Sequence, residues 1–252
     1  GDALFEDARV HWRHLPPALA VSSEAGDYDV VIATATAPVS WRSESSRTLE
    51  FYRNAARQLA PHGIFCQALS QRDVGAAAVI VPHATIRSVF KLSLQVLVGA
   101  GRVLVLATND EELVDRPGLV GRLQGPHVRG ALAEIGWDWA NLLQLPVCDL
   151  TKPGDTDHVN HVGNGWLAAR LPIAALAGGT WLDKTQRDRR DVPQPLLKRI
   201  EVEDEMVAEV RERLADVRRG QQLLGQAADG FRSYRRAVDK QVVDRPRFVF
   251  ES

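Results

Sequence analysis

One short segment carries the side chains that metal ions prefer. Asp155 to His161 has the sequence DTDHVNH, and a helix would place His158 and His161 on one face. Asp155 or Asp157 would then add an oxygen ligand. The alternative is a polar loop whose acids cap a helix. Because no third nitrogen or sulfur ligand lies nearby in the sequence, we expect no metal, and the two histidines remain the candidate ligands.

A turn from Thr34 to Pro38 follows the most strand-like run of the chain. That run, Val30 to Ala33, is short, apolar and rich in β-branched residues, which is typical of a strand buried on both faces of a parallel sheet. Ligands of open parallel sheets bind at the carboxyl ends of the strands. The turn is therefore where chemistry is expected.

The elements that must position this turn follow directly in the sequence. Apolar side chains recur at helical spacing from Leu49 to Leu59, and Thr48 and two nearby serines offer oxygens to cap that helix. Pro61-His62-Gly63 is expected to end the helix, and Ile64 to Leu69 predicts a second apolar strand. A strand, a helix and a strand in this order predict a crossover unit of a parallel sheet.

The same unit resembles the spermidine/spermine synthase family of polyamine aminopropyltransferases, and in particular its relatives fused to membrane-spanning segments. The resemblance implies a Rossmann-like methyltransferase fold. The positions that match the family pattern are Tyr28-Asp29, Pro38, Phe51-Tyr52, Leu59, Pro61, Gly63 and Gln67.

The resemblance also assigns roles to residues around the turn. The family carries two acids there, and the first takes a proton from the attacking amine, but Thr34 and Ala37 occupy those positions here. Glu44, in the linker that follows, is the nearest substitute for the missing base. Asp7-Ala8 matches the family's pair of an acid and a small residue, in which the acid contacts the adenine end of the nucleoside; alternatively, Asp7 caps a helix.

A nucleoside cofactor would accordingly be held by Asp7, Ala8, Thr36 and Pro38. The cofactor implied is decarboxylated S-adenosylmethionine, or S-adenosylmethionine itself, and the other partner would be an amine. The glycine-rich turn that holds the cofactor in this family is not found before Tyr28.

The composition limits the remaining classes of function. The 252 residues carry a net charge of −1, so no basic field exists for nucleic acid. Two cysteines cannot form a disulfide framework, and no apolar run is long enough to span a membrane, so we expect a cytoplasmic location. Because the chain begins without methionine, we expect a segment of a longer protein, with an upstream membrane domain or a second copy as its partner.

The fold predicted is the second half of a doubly wound α/β sheet over residues 1–110, followed by a helical extension over residues 111–252. Gly99 to Arg102 separates two β-like runs and predicts the turn of a final antiparallel hairpin. Residues 194–244 predict a charged helical hairpin. Trp137 and Trp139 are expected to be core anchors.

Three functions are consistent with these patterns. The first is a spermidine synthase-like enzyme whose active site is degenerate. The second is a methyltransferase with another acceptor, which would tolerate Thr34 because some methyl transfers need mainly positioning. The third is a non-catalytic scaffold or regulatory domain of a larger membrane-anchored protein.

Overall fold

The computed structural model describes residues 8, 10–11, 14–22, 26–34, 45–70, 77–99, 102–111, 118–149, 158–176, 194–196, 207–216 and 219. They fall into two compact units. Unit 1 draws its described residues from Gly1–Leu119 and Gln144–Ile200, and unit 2 from Val120–Leu143 and Glu201–Ser252. The predicted domain ranges, 1–110 and 111–252, stay predictions.

Unit 1 contains the predicted strand, helix and strand. The short helix α1 is Pro17–Ala20, strand β1 is Tyr28–Ala33, helix α2 is Leu49–Arg57 and strand β2 is Leu59–Ser70, with a 3₁₀ turn at Ser45–Arg47. Strands β1 and β2 are adjacent and parallel, as predicted. The Thr48 hydroxyl accepts a hydrogen bond from the Phe51 amide at 3.3 Å and so caps α2.

The segment Pro61-His62-Gly63 lies within β2 and does not form the end of the helix. Helix α2 already ends at Arg57, and the pairing register with β1 shifts between Tyr28 and Val30. A Cβ on Gly63 would lie 2.9 Å from both the Ala60 and the Tyr28 carbonyl oxygens. Glycine is needed here because the two strand backbones approach too closely for a side chain.

The remaining strands of the sheet are antiparallel to their neighbours. Helix α3, Ala77–Arg87, leads into β3, Leu92–Gly99, and β4, Arg102–Thr108. Strands β3 and β4 pair antiparallel, which confirms the predicted final hairpin, and β4 also pairs antiparallel with β2. Over the described residues, the fold of unit 1 is therefore the mixed α/β sheet that the sequence predicted, with one parallel pair and an antiparallel hairpin.

Two short strands extend this sheet from a part of the chain where only helices were expected. Strand β5 is Pro146–Asp149 and strand β6 is Gln194–Pro195. Over the described residues the sheet has six strands in the order β1-β2-β4-β3-β5-β6. These strands are four and two residues long, so their sequences are too short to show an alternating pattern.

Strand β1 differs from the prediction in its burial. It lies at the edge of the described sheet, and Val30 and Ile32 are 53% and 66% exposed. Only the opposite face, with Val31 and Ala33, packs against the core. The prediction that β1 is buried on both faces was wrong, because an apolar run has the same composition whether one or both of its faces are covered.

The core of unit 1 lies between α2, α3 and one face of the sheet. Its largest side chains form an aromatic group in which Phe51, Tyr52 and Phe65 meet edge to face, while Phe65 and Phe90 stack with ring centroids 5.4 Å apart. Helix α7, Trp166–Leu176, packs on α3 through a separate small cluster that includes Leu167 and Leu171.

Unit 2 is helical in its described part. Its helices are α4, Leu119–Leu123; α5, Pro126–Glu134; α6, Trp139–Leu143; and α8, residues 207–216. The first residue of α4, Leu119, is assigned to unit 1. Val210 and Leu214 of α8 are buried, and Gln124 donates a hydrogen bond to Glu209 at 2.9 Å. Among the described helices of both units, none has the length and apolar character that crossing a membrane requires.

Candidate functional site

The carboxyl ends of β1 and β2 form the edge of unit 1 at which a ligand is expected. Ala33, the last residue of β1, is paired with Gln67 of β2, and Thr34 follows directly and is exposed. Gln67 is only 2% exposed although it is polar. A buried amide must form hydrogen bonds, so its partners define the polar groups of this edge.

Both ends of the Gln67 side chain are used inside the protein. Its Oε1 accepts a hydrogen bond from the Tyr52 hydroxyl at 2.5 Å, and its Nε2 donates to the Ser46 carbonyl at 3.1 Å. Gln67 thus joins α2, β2 and the 3₁₀ turn that precedes α2. The two bonds hold this turn beside the residue of β2 that pairs with the end of β1.

Tyr52 acts in this arrangement as a hydrogen-bond donor. Burial raises the pKa of its phenol well above the usual range, and the nearby Arg47 guanidinium and the bond to Gln67 offset only part of that rise. The phenol therefore stays protonated at neutral pH. It cannot serve as the base that an amine nucleophile needs.

A second set of buried hydrogen bonds surrounds Asn160, which is 0% exposed. Its Nδ2 donates to the Arg47 carbonyl at 3.0 Å, and its Oδ1 accepts from the Leu167 amide at 3.1 Å. Its backbone amide donates to the Thr85 hydroxyl at 3.0 Å, and its carbonyl accepts from the Leu49 amide at 2.7 Å. We call these five residues the Asn160 cluster.

The Asn160 cluster fixes the position of the turn before α2. Arg47 and Leu49 belong to that turn and to the start of α2, Thr85 belongs to α3, and Leu167 belongs to α7. Asn160 thus connects the 3₁₀ turn and α7 through its side chain, and α2 and α3 through its backbone. The sequence does not indicate this role, because an asparagine in a polar segment gives no sign of burial.

The sequence-predicted site residues are only partly within the described chain. Thr34 is exposed at the end of β1, and Ala8 is exposed in a turn. The other predicted residues of this site lie outside the described residues: Asp7, Thr36, Ala37, Pro38 and Glu44. That these residues and Thr34 line one crevice therefore stays a prediction.

The candidate metal ligands do not share a helical face. His158 to Gly165 form an irregular segment with a turn, ahead of α7. His161 Nδ1 accepts a hydrogen bond from the Gly163 amide at 3.2 Å, while the ring of His158 stacks on Trp166 at 5.4 Å. Asn164 caps the helix instead, since its Oδ1 accepts from the Trp166 amide. The prediction that the two histidines lie on one face of a helix was wrong, because both lie in the segment that precedes α7.

Metal-ligating side chains do not gather elsewhere in the described chain either. Among the residues that the structure describes, no group of three or more His, Cys, Asp or Glu side chains is close enough to hold one ion. Asp155 and Asp157, the proposed oxygen ligands, lie outside those residues.

The described side chains discussed above for this edge, Thr34, Tyr52, Gln67 and Asn160, include hydrogen-bond donors and acceptors, and none of the four is a carboxylate. Tyr52 bonds to Gln67, Gln67 bonds to the Ser46 carbonyl, and Asn160 bonds to the next carbonyl, that of Arg47. Thr34 is exposed at the end of β1. Such a site can position a ligand, whereas proton abstraction would require a group from another part of the chain. Gln67 could have been found from the sequence, because it is a polar residue at a position of β2 whose neighbours two residues away are apolar and buried.

Comparisons with known proteins give similarity to solved structures alone. No family model and no curated protein matches the chain. A spermidine synthase in complex with the transition-state analogue AdoDATO is 18% identical over 52% of this chain and 49% of its own, with a TM-score of 0.40. The spermidine synthase from Thermotoga maritima is 18% identical over 49% of this chain and 44% of its own, with a TM-score of 0.38. The chain thus spans about half the length of these structures.

Proposed function

We propose that unit 1 is a spermidine synthase-like domain of the methyltransferase fold with a degenerate active site. The observation that supports this most is the buried hydrogen bond between Tyr52 and Gln67. Both residues belong to the family pattern, and the bond lies beside the carboxyl end of β1, where ligands of such sheets bind. The parallel β1–β2 pair and the antiparallel β3–β4 hairpin support the same fold.

The proposed degeneracy concerns the base. An amine nucleophile is mostly protonated at neutral pH and must lose a proton before it attacks. A positioned carboxylate contributes roughly 10²- to 10⁴-fold to such a step. Thr34 cannot remove this proton, Tyr52 stays protonated, and Ala37 removes the second anion that would hold the substrate ammonium group. We therefore expect no appreciable synthesis of spermidine.

The proposed cofactor is decarboxylated S-adenosylmethionine or S-adenosylmethionine. Asp7, Ala8, Thr36 and Pro38 would hold its nucleoside end, as the family pattern implies. Ala8 is exposed and small, so it leaves room for a ligand. The cofactor would supply the activated alkyl group, and this chain's residues would bind and orient it.

Binding of the nucleoside is tested by isothermal titration of the full chain with methylthioadenosine. We expect the wild type to bind and Asp7→Ala to lose binding. Asp27→Ala is the matched control, because Asp27 is an exposed acid just before β1. Equal affinities of the wild type and Asp7→Ala would reject Asp7 as a ligand-binding residue.

Activity is tested by assaying aminopropyl transfer to putrescine with decarboxylated S-adenosylmethionine. We expect no turnover by the wild type. Thr34→Asp/Ala37→Asp restores both acids, and we expect it to gain some turnover if upstream residues supply the cofactor-binding half. Robust wild-type turnover that disappears in Glu44→Gln, but not in the control Glu111→Gln, would overturn the inactive assignment and make Glu44 the base.

A specific observation favours the non-catalytic alternative as the second candidate. The buried polar side chains at the strand edge are bonded to the protein itself, Gln67 at both ends and Asn160 through its side chain and its backbone. This arrangement is typical of groups that hold a fold together. A scaffold or regulatory role in a larger membrane-anchored protein predicts no methylthioadenosine binding and no turnover by any of the variants above.

A further inference from the structure

Unit 2 contains a cavity of about 390 Å³ that the function proposed for unit 1 does not use. One face of α5 forms its floor, where Pro126, Gly130 and Ala133 recur at helical spacing and have small side chains. Apart from Gly130, its two chain neighbours and the backbone of α5, no heavy atom lies within 4 Å of the position that a Cβ on Gly130 would take. The volume lies within the range of small-molecule sites, roughly 300–1,000 Å³.

Two indole rings line the cavity. Trp137 follows the end of α5 and is half-buried, and Trp139 at the start of α6 is buried. Large flat apolar surfaces of this kind bind planar rings, because stacking adds to the apolar area removed from water. The expectation that both tryptophans are core anchors therefore fits Trp139, which is buried, better than Trp137, which is half-buried.

The carboxylate that lines the cavity is already occupied by protein groups. Asp138 Oδ2 accepts hydrogen bonds from Nε and Nη2 of Arg213, at 3.0 and 2.7 Å. Its Oδ1 accepts from the Ala140 amide at 3.0 Å. A cationic ligand would have to displace Arg213 to reach this acid. The cavity therefore disfavours cations, although it contains tryptophans and an acid.

Arg129 is the charged group of the lining that remains available. Within the part of the chain that the structure describes, its guanidinium forms no ion pair and no hydrogen bond. With Arg129 and Arg213 positive and Asp138 negative, the lining has a net charge of +1. Arginine presents a planar set of donors that matches a carboxylate or a phosphate.

From these groups we propose that the unit 2 cavity binds a small planar organic anion. Its ring lies against Trp137, above the small residues of α5, and its carboxylate or phosphate is held by Arg129. Arg213 adds positive charge while it keeps its bonds to Asp138. The proposal concerns unit 2 alone and stands whether or not unit 1 binds a nucleoside.

The test titrates the full ¹⁵N-labelled chain with three ligands that share one ring and differ in charge. Indole-3-acetate is the anion, indole-3-acetamide is neutral and tryptamine is a cation, and the shifts of the tryptophan indole N–H signals report binding. We expect the anion to bind about five- to tenfold more tightly than the amide, a modest factor because Arg129 is exposed. The cation should bind most weakly. Equal affinities for the three ligands would overturn the proposal.

Two variants locate the binding to this cavity. Gly130→Leu fills the open space above α5 and should abolish binding, while Gly121→Leu, a glycine of α4 with equally open surroundings, should leave it unchanged. Arg129→Gln should reduce the preference for the anion over the amide to near unity, with Arg211→Gln as the control on α8. Wild-type affinity in Gly130→Leu, or an undiminished preference in Arg129→Gln, would place the ligand elsewhere and refute the proposal.

Discussion

Replacing Asn160 by alanine tests how much the buried hydrogen bonds around the strand edge contribute to stability. The change removes two side-chain bonds and leaves the Arg47 carbonyl and the Leu167 amide without those partners. A buried polar group left unsatisfied costs about 1–3 kcal/mol. Because two such groups are affected, we expect the free energy of unfolding to fall by about 2–6 kcal/mol.

Asn164→Ala is the matched control. Asn164 lies four residues after Asn160 and its side chain forms three hydrogen bonds, compared with two for Asn160. Asn164 accepts from the His161 and Trp166 amides and donates to the Val159 carbonyl, at 3.1, 3.2 and 2.8 Å. The residue is exposed, so water can replace these partners. We expect a cost of about 0.5–2 kcal/mol, which is the range for a lost helix cap.

The comparison is made by urea unfolding of the full chain at pH 7, with the slope of the transition monitored in both variants. Burial predicts that Asn160→Ala is the more destabilising change although it removes fewer bonds. Equal costs, or a larger cost for Asn164→Ala, would refute the argument that burial determines the value of these bonds. A changed slope would show that the variant alters the unfolded state or the two-state behaviour.

Three further predictions concern unit 1. Tyr52→Phe should cost about 1–3 kcal/mol in urea unfolding, because Gln67 Oε1 loses its buried donor; a cost near zero would show that the bond is not formed. The folded state raises the pKa of Tyr52 above its unfolded value of 10.0. The stabilisation that comes from this pKa difference is therefore complete below pH 10.0 and is lost as the pH rises above it. The free energy of unfolding of the wild type should accordingly fall more steeply above pH 10.0 than that of Tyr52→Phe. Gly63→Ala should destabilise by about 1–3 kcal/mol, because the new Cβ meets two carbonyl oxygens at 2.9 Å; Gly121→Ala, in open space, should not, and equal thermal midpoints for the two variants would contradict the close approach.

Much of the local structure of unit 1 was predictable from the sequence. The apolar runs of β2, β3 and β4, the helical spacing of α2 and the cap at Thr48 depend on residues close together in the chain. The parallel pairing of β1 with β2 follows from the helix between them, and the antiparallel hairpin follows from the short turn between β3 and β4. These features needed only the periodicity of apolar side chains and the positions of Gly, Pro and Thr.

The tertiary structure decided which side chains are buried. It also decided which residues meet at the carboxyl ends of β1 and β2 and in the unit 2 cavity. Asn160 bonds to Thr85 and to Arg47, 75 and 113 residues away, and the unit 2 cavity depends on Arg213 reaching Asp138, which is 75 residues earlier. No local pattern indicates such partners. Strand β1 illustrates the same limit: its apolar sequence predicts a strand, but whether one or both of its faces are covered depends on which other segments pack there.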